Sequence, residues 1–209
     1  MEDLHGLSRR SLMQRAILLV GATVAVGACD MLPGAGNDKD FALDASQFAL
    51  LSAVAGTIVP KTDTSGAIEA GVPKTFEGLL RDWASAVTRE GMLGALGRID
   101  EAAKKDGGMG FAELDGTARA KLLAAHDAAA LAEDPEGEAI PTAISFVPGG
   151  GTKLHDMNYS RMKELLVTLY YYSEPGLTEE LHYEHNPGAW EPSIPVTEET
   201  RPWGGLGLM

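Results

Sequence analysis

The chain has 209 residues, with 30 acidic and 17 basic side chains and a formal net charge of −13 at neutral pH. Because a phosphate backbone would be repelled by this balance, the composition argues against a nucleic-acid partner. The length suits one domain with a hydrophobic core, and the single cysteine, Cys29, excludes disulfides within the chain and covalent haem attachment beyond that position.

The first 28 residues have the pattern of an export signal. Residues 16–28 form an uncharged run that is too short to span a membrane but typical of a signal-peptide core. Arg9 and Arg10 precede this run in a Ser-Arg-Arg-x-Leu frame, which predicts export in the folded state by the twin-arginine translocase. Small residues lead up to Cys29, as in lipoproteins, so we expect a periplasmic protein held at the inner membrane by a lipid on Cys29. Cleavage nearby without a lipid is the alternative.

Residues 29–43 are predicted to be an anchor and linker, since 33–40 are small, polar and rich in glycine. A helical domain is predicted to follow over residues 44–172. Its first helix begins at Asp44, which has the capping-box spacing with Gln47, and it ends at Pro60.

A second helix is predicted to begin at Pro73. The residues predicted to share its apolar face are Phe76, Leu79, Leu80, Trp83 and Val87. The pattern continues past Gly91 to about residue 103, as one bent helix or as two, and 104–110 is a predicted break.

An alanine-rich helix is predicted from Thr117 to about Ala132, with a single histidine, His126, among the alanines. Residues 133–152 are predicted to be a loop, and a final helix runs near 159–172. Strand signals are confined to 140–147 and 181–183, and both are short.

The last segment, residues 173–209, is predicted to be an extended tail rich in proline and aromatic residues, because prolines at this density forbid a continuous helix or central strand. Between residues 164 and 200 the chain has eight glutamates and no lysine or arginine. Such a tail either wraps its own domain or lies on a partner. The candidate partner contacts are Tyr171, Tyr172, Tyr183, Trp190 and Trp203. The predicted fold is therefore mainly α: a single small helical domain with an extended tail.

Motifs for catalysis are absent from the sequence. No glycine-rich phosphate loop follows a strand, and no Gly-x-Ser-x-Gly elbow occurs. His126 and His155 are each followed by an aspartate, Asp127 and Asp156, but adjacent residues on a helix point to different faces and cannot form a relay with each other. We therefore predict no catalytic residue and no cofactor site in this chain.

One weak metal site is conceivable. His182 and His185 are three residues apart and would reach one ion on a helix, with Glu184 or Asp156 as a third ligand. Pro187 makes a stable helix there unfavourable. The residues alone thus favour a non-catalytic exported helical domain.

Three blocks of the sequence are similar to a known family. The first comprises 51–60, then Thr-Asp at 62–63 and Gly-Ala-Ile-Glu-Ala-Gly-Val at 66–72. The second is Phe-Glu-Gly-Leu-Leu at 76–80 with Trp83. The third and most specific consists of Lys-Glu-Leu at 163–165, Tyr-Tyr-Ser-Glu-Pro-Gly at 171–176, Leu-x-Tyr at 181–183, Asn-Pro-Gly at 186–188 and Arg-Pro-Trp at 201–203.

Together the blocks resemble the gluconate 2-dehydrogenase subunit 3 family, the small subunits of membrane-bound flavin dehydrogenases. With the leader, the resemblance covers most of residues 8–203. Ser65 stands where a proline is more usual, and the loop at 133–152 has no match.

The resemblance implies a non-catalytic accessory subunit. Its partner would be a larger catalytic subunit of the glucose–methanol–choline oxidoreductase type, which holds FAD and oxidises a sugar, sugar acid or alcohol. A multihaem cytochrome c commonly serves as a third subunit. Because the flavoprotein typically lacks a leader, the small subunit carries it through the twin-arginine translocase already folded and stabilises it. Residues 66–72 and 171–176 are then turns and contact surfaces.

Two alternatives stay open. One is an independent periplasmic lipoprotein that binds a small ligand or metal through His182 and His185. The other, a stand-alone oxidoreductase, is disfavoured because the sequence lacks a dinucleotide-binding pattern.

Overall fold

Five α-helices form the body of the protein in a computed structural model that describes residues 40–134, 136, 153–183, 193, 195–197 and 200–204, with Tyr183 and Trp203 described by their backbones. The helices are α1 (Ala45–Ile58), α2 (Val72–Asp82), α3 (Ala86–Gly107), α4 (Gly116–Ala130) and α5 (Met157–Tyr171). A 3-10 turn, Phe111–Glu113, lies between α3 and α4, and a π-helical turn, Gly176–Glu180, follows α5. Two short strands, β1 (His182–Tyr183) and β2 (Trp203–Gly204), complete the described elements. The mainly helical single domain predicted from the sequence is confirmed.

The predicted capping box begins α1. The Asp44 carboxylate accepts a hydrogen bond from the Gln47 backbone N–H at 2.8 Å, and the Gln47 side chain accepts one from the Asp44 N–H at 3.1 Å. These two bonds satisfy donors that the first helical turn leaves without partners. The helix ends at Ile58, before Pro60, as the sequence predicts.

The second predicted helix is two helices, and they separate before Gly91. Helix α2 carries proline in its first turn and ends at Asp82. Ser85 then caps α3 by accepting a hydrogen bond from the Thr88 N–H at 3.1 Å. Gly91 lies inside α3, where a β-carbon would meet the Asn158 amide oxygen at 2.7 Å, so the glycine permits close packing against α5.

This break makes part of the predicted apolar face wrong. Phe76 and Leu80 are buried, but Trp83 is 47% exposed and Val87 is 72% exposed. The helical period of α2 stops at Trp83, and α3 starts with a new rotation at Ser85. Spacing counted across the two segments therefore no longer reports a shared face.

The remaining helix boundaries lie within a few residues of the predicted ones. Helix α3 extends to Gly107 and is closed by Gly108, whose φ of +71° is readily adopted by glycine. Asp115 and Asp156 cap α4 and α5, each accepting a hydrogen bond from the N–H three residues later at 2.9 Å. Of the predicted loop at 133–152, Glu133 pairs with Leu154 in an isolated antiparallel bridge, while the strand signal at 140–147 lies outside the described residues.

The core is organised around α5, which packs mainly on α3 and α2. The inward stripe of this helix consists of Tyr159, Met162, Leu166 and Tyr170, all at most 2% exposed. Helix α1 adds Leu51, Val54 and Ala55 to the same core. Among the described helices, none is both long and apolar enough to cross a bilayer.

Both ends of the body differ from the predicted boundaries. Leu43 is buried and donates its N–H to the Glu77 carboxylate at 2.9 Å, while the Arg89 guanidinium lies 4.4 Å from the centre of the Phe41 ring. The contacts of the folded body therefore include Phe41 and Leu43, which lie inside the predicted linker. The predicted tail begins with the π-helical turn rather than with extended chain, and only then forms β1, which pairs in parallel with β2.

Glycines at tight contacts generate a stability prediction. A β-carbon at Gly176 would overlap the Tyr170 carbonyl oxygen, whereas at Gly97, inside α3, it would meet nothing within 4 Å. We expect Gly176→Ala to lower the free energy of unfolding by about 2 kcal/mol or more, because backbone has to move. Gly97→Ala should raise it by about 0.5–1 kcal/mol. Urea unfolding followed by circular dichroism measures both, and equal stability of Gly176→Ala and the parent would contradict the described contact.

Candidate functional site

The first and third sequence blocks, far apart in the chain, meet in the fold. The Tyr170 hydroxyl, at the end of α5, donates a hydrogen bond to the Ser65 carbonyl oxygen at 2.8 Å. The Tyr170 ring is 2% exposed, so this bond fixes the loop before α2 against the core. We call residues 61–71, 170–180 and 200–204 together the motif junction.

Two glutamates of the π-helical turn hold the same loop. The Thr64 hydroxyl donates to the Glu180 carboxylate at 2.7 Å, and the Ser65 N–H donates to the Glu179 carboxylate at 2.9 Å. Hydrogen bonding by Ser65 lowers the pKa of Glu179 below its ordinary value. Arg201, near β2, pairs with Asp63 at 3.0 Å, so the segment at 200–204 reaches the loop as well.

Glycines let these segments approach. A β-carbon at Gly66 would lie 2.6 Å from the Lys61 backbone nitrogen, and Gly71, with φ of +71°, starts α2. Gly176 allows the turn after α5 to fold back on Tyr170. Gly66, Gly71 and Gly176 are thus required by backbone geometry, in agreement with the interpretation of residues 66–72 and 171–176 as turns.

Three residues of the motif junction have exposed apolar side chains. Tyr171 is 39% exposed, Tyr172 is 62% exposed and Ile68 is 48% exposed. The Tyr171 ring contacts the edge of the buried Tyr170 ring, with centroids 5.3 Å apart. The structure therefore places two of the predicted contact residues on the surface, and it adds Ile68, which the sequence did not single out.

The other predicted contacts are only partly described. His182 lies opposite Trp203 and Tyr183 opposite Gly204 in the parallel β1–β2 pair, so both aromatic residues contribute backbone to a contact within the chain. Their side chains lie outside the described residues, as do Trp190, Arg9, Arg10 and Cys29. Of the described parts of the tail, the turn at 176–180 and Arg201 contact their own domain, which supports the wrapped arrangement for those parts, whereas Val196 is 83% exposed.

His182, one of the two histidines predicted as a weak metal site, is not on a helix. His182 lies in β1, where its backbone N–H donates to the Pro202 carbonyl at 2.9 Å, and His185 lies outside the described residues. Asp156, considered as a third ligand, caps α5 and pairs with Arg98 at 2.6 Å. Over the described ranges, no cluster of three or more His, Cys, Asp or Glu side chains could hold a metal ion.

Two histidines that are far apart in the sequence, His126 and His155, line the same cleft in the fold. An open cleft of about 580 Å³ between α3, α4 and the start of α5 is lined by both of them, and its polar side chains are Arg98, His126, Asp134, His155, Asp156 and Asn158. Helical spacing within one segment carries no signal for such a long-range encounter, so the sequence could not predict this cleft.

His126 is held as a neutral ring at the edge of this cleft. Its ring packs edge-to-face on Tyr159 with centroids 4.9 Å apart, and its buried Nε2 has no hydrogen-bond partner. Burial lowers the pKa of His126, and Arg98 acts in the same direction, while Asp156 and Asp127 oppose it.

A neighbouring network ties α4 to α5. The Tyr159 hydroxyl donates to Asp127 at 2.9 Å, and Lys163 pairs with the same carboxylate oxygen at 2.5 Å. Burial, followed by the contact with Asp127, raises the pKa of Tyr159, so its phenol stays protonated. The arrangement suits an inter-helix contact rather than an activated nucleophile.

The described residues thus define a class of protein: a small helical domain in which the first and third sequence blocks form turns and an exposed aromatic surface. A family model described as Gluconate 2-dehydrogenase subunit 3 matches residues 45–188, and the chain belongs to that family. The resemblance predicted from the sequence blocks is confirmed. Membership places the chain among the subunits of dehydrogenase complexes. No curated protein and no solved structure matches the chain significantly.

The Tyr170–Ser65 bond can be tested by deletion of one hydroxyl. Tyr170→Phe should lower the free energy of unfolding by about 1–2 kcal/mol, because the Ser65 carbonyl loses its partner in a partly buried position. Tyr172→Phe is the matched control and should change stability by less than about 0.5 kcal/mol, since that ring is 62% exposed. Urea unfolding measures both variants, and equal effects would show that the Tyr170 hydroxyl does not hold the loop.

The lowered pKa of His126 predicts that the free energy of unfolding depends on pH. Its pKa lies below the ordinary value of 6.5, so the unfolded chain binds the proton more readily than the folded one. The contribution of neutral His126 is complete above the unfolded pKa and is lost as the pH falls below it. Unfolding free energies from about pH 8 to about pH 5 should therefore decrease more steeply for the parent than for His126→Gln. Parallel curves for the two proteins would contradict this assignment.

Proposed function

We propose that this chain is the export and stabilising subunit of a periplasmic flavin dehydrogenase. It binds a catalytic subunit of the glucose–methanol–choline oxidoreductase type after that subunit has folded around FAD, and it accompanies the partner through the twin-arginine translocase. The observation that carries the proposal is the family match over residues 45–188, which lies directly downstream of the Arg9-Arg10 leader.

The proposal follows from the folded state in which the flavoprotein must be exported. FAD is inserted in the cytoplasm, so a flavoprotein that works in the periplasm has to cross the membrane folded. A flavoprotein without a leader then needs a bound subunit that supplies one. Arg9 and Arg10 give this chain such a signal, and a lipid on Cys29 would hold the assembled pair at the inner membrane.

Chemistry belongs to the partner in this proposal. FAD resides in the catalytic subunit, and haem c resides in a cytochrome subunit where the complex has one. The protonated phenol of Tyr159 and the hydrogen-bonded carboxylates of the motif junction support a structural role for the polar groups of this chain. The family-specific residues are then surface and turn residues that serve association.

Export of the partner tests the proposal. In cells that make both subunits, Arg9→Lys with Arg10→Lys should leave this chain and the flavoprotein in the cytoplasm, because the translocase requires the arginine pair. Arg15→Lys, a change to the third arginine of the leader, is the matched control and should leave export intact. Flavin fluorescence and immunoblots of periplasmic fractions provide the readout. Arrival of the flavoprotein in the periplasm despite the double substitution would refute the carrier role.

A further inference from the structure

Seven large apolar side chains of the described residues are exposed. Three of them, Ile68, Tyr171 and Tyr172, belong to the two segments that the Tyr170–Ser65 bond joins. We call these three residues the aromatic edge. Of the other four, Trp83 and Val87 lie at the break between α2 and α3, Met109 follows α3, and Val196 lies in the tail.

Hydrogen bonds fix the backbone that carries the two tyrosines of the aromatic edge. Tyr171 is the last residue of α5, and the Tyr172 N–H donates to the Thr168 carbonyl at 3.0 Å. The turn beyond it is closed by the Ser173 hydroxyl, which donates to the Tyr170 carbonyl at 2.5 Å. Rings presented on a fixed backbone lose little conformational entropy when a partner covers them, and tyrosine is enriched among residues that dominate binding.

The charge around this edge is one-sided. The motif junction contains five acidic residues, Asp63, Glu69, Glu174, Glu179 and Glu180. Its only basic residues within the described ranges are Lys61 and Arg201. Arg201 is paired with Asp63 at 3.0 Å, and Lys61 lies 3.9 Å from Glu69. The segments that carry the exposed rings therefore have an excess of negative charge.

This charge decides between two kinds of occupant. A second copy of the chain would bring the same acidic border against itself, and like charges facing each other across an interface are unfavourable. A partner with lysine or arginine around an apolar socket would satisfy both the rings and the carboxylates. We infer that the aromatic edge is the docking surface for the catalytic flavoprotein, and that the face it meets on that partner is an apolar socket with a basic rim. The inference rests on the proposed function and adds the site and the chemistry of contact.

Tagged protein co-expressed with the flavoprotein tests the site. Tyr171→Ala with Tyr172→Ala should reduce the flavoprotein recovered with the tag by about tenfold or more, because the anchoring rings are lost. Trp83→Ala removes an aromatic ring that is exposed to a similar degree, and it should leave recovery unchanged. Thermal unfolding of each variant alone separates loss of contact from loss of fold. Tyr172→Ala, which removes the more exposed ring, should melt like the parent and still reduce recovery, whereas Tyr171→Ala also removes the ring contact with Tyr170.

The acidic border is tested by one charge reversal. Glu174→Lys should weaken recovery at low salt more than at high salt, because salt screens the repulsion that the new lysine meets at a basic rim. Glu101→Lys, at an exposed position on α3, is the matched control and should have no such effect.

The outcomes separate the two proposals. Normal recovery with the double tyrosine variant, or equal losses with Trp83→Ala, would overturn the docking surface and leave the proposed function standing. Failure of the parent chain to recover any flavoprotein would overturn both. A dimer of this chain in size-exclusion chromatography that disappears in the double variant would assign the edge to a second copy and overturn the flavoprotein as its occupant.

Discussion

The domain depends on the burial of one stripe along α5. Tyr159, Met162, Leu166 and Tyr170 face α2 and α3 with almost no exposed surface. Burial of each such side chain contributes about 1.5–3 kcal/mol, so the stripe fixes the rotation of α5 against its neighbours. Its two tyrosines also keep their hydroxyls hydrogen-bonded, one to α4 and one to the loop before α2. The same residues that build the core therefore position the polar contacts of the motif junction, and a surface assembled from distant parts of the chain inherits its geometry from the core.

Signals that act over a few residues were predictable from the sequence. The capping box at Asp44, the proline at the start of α2 and the alanine-rich α4 all depend on neighbours within one or two turns, and the structure has each of them. The break at Trp83 was missed because an apolar period can be counted across a junction where the helix has already ended. The exposure of Tyr171 and Tyr172 is consistent with their prediction as contact residues, although the contact itself stays a prediction.

Features that depend on contacts between distant segments of the chain were not predictable. The cleft shared by His126 and His155, the bond from Tyr170 to Ser65 and the parallel pairing of β1 with β2 all join residues far apart in sequence. Periodicity within one segment carries no information about which other segment lies opposite. The family resemblance identified segments on both sides of the motif junction as family motifs, but it carried no information that these segments touch. The candidate site was thus predicted as a set of residues rather than as a surface.

The contacts of Phe41 and Leu43 limit how far the domain could lie from an anchor at Cys29. Phe41 and Leu43 are held by Arg89 and Glu77, so a membrane anchor at Cys29 would be connected to the body only through the residues before Phe41. A fully extended chain over that interval spans at most about 40 Å, and a random coil of the same length averages about 20 Å. A lipid at Cys29 would therefore keep this domain within roughly one protein diameter of the bilayer. Any partner docked on it would then be confined to the membrane surface, where its encounters with other membrane-bound proteins take place by diffusion in two dimensions.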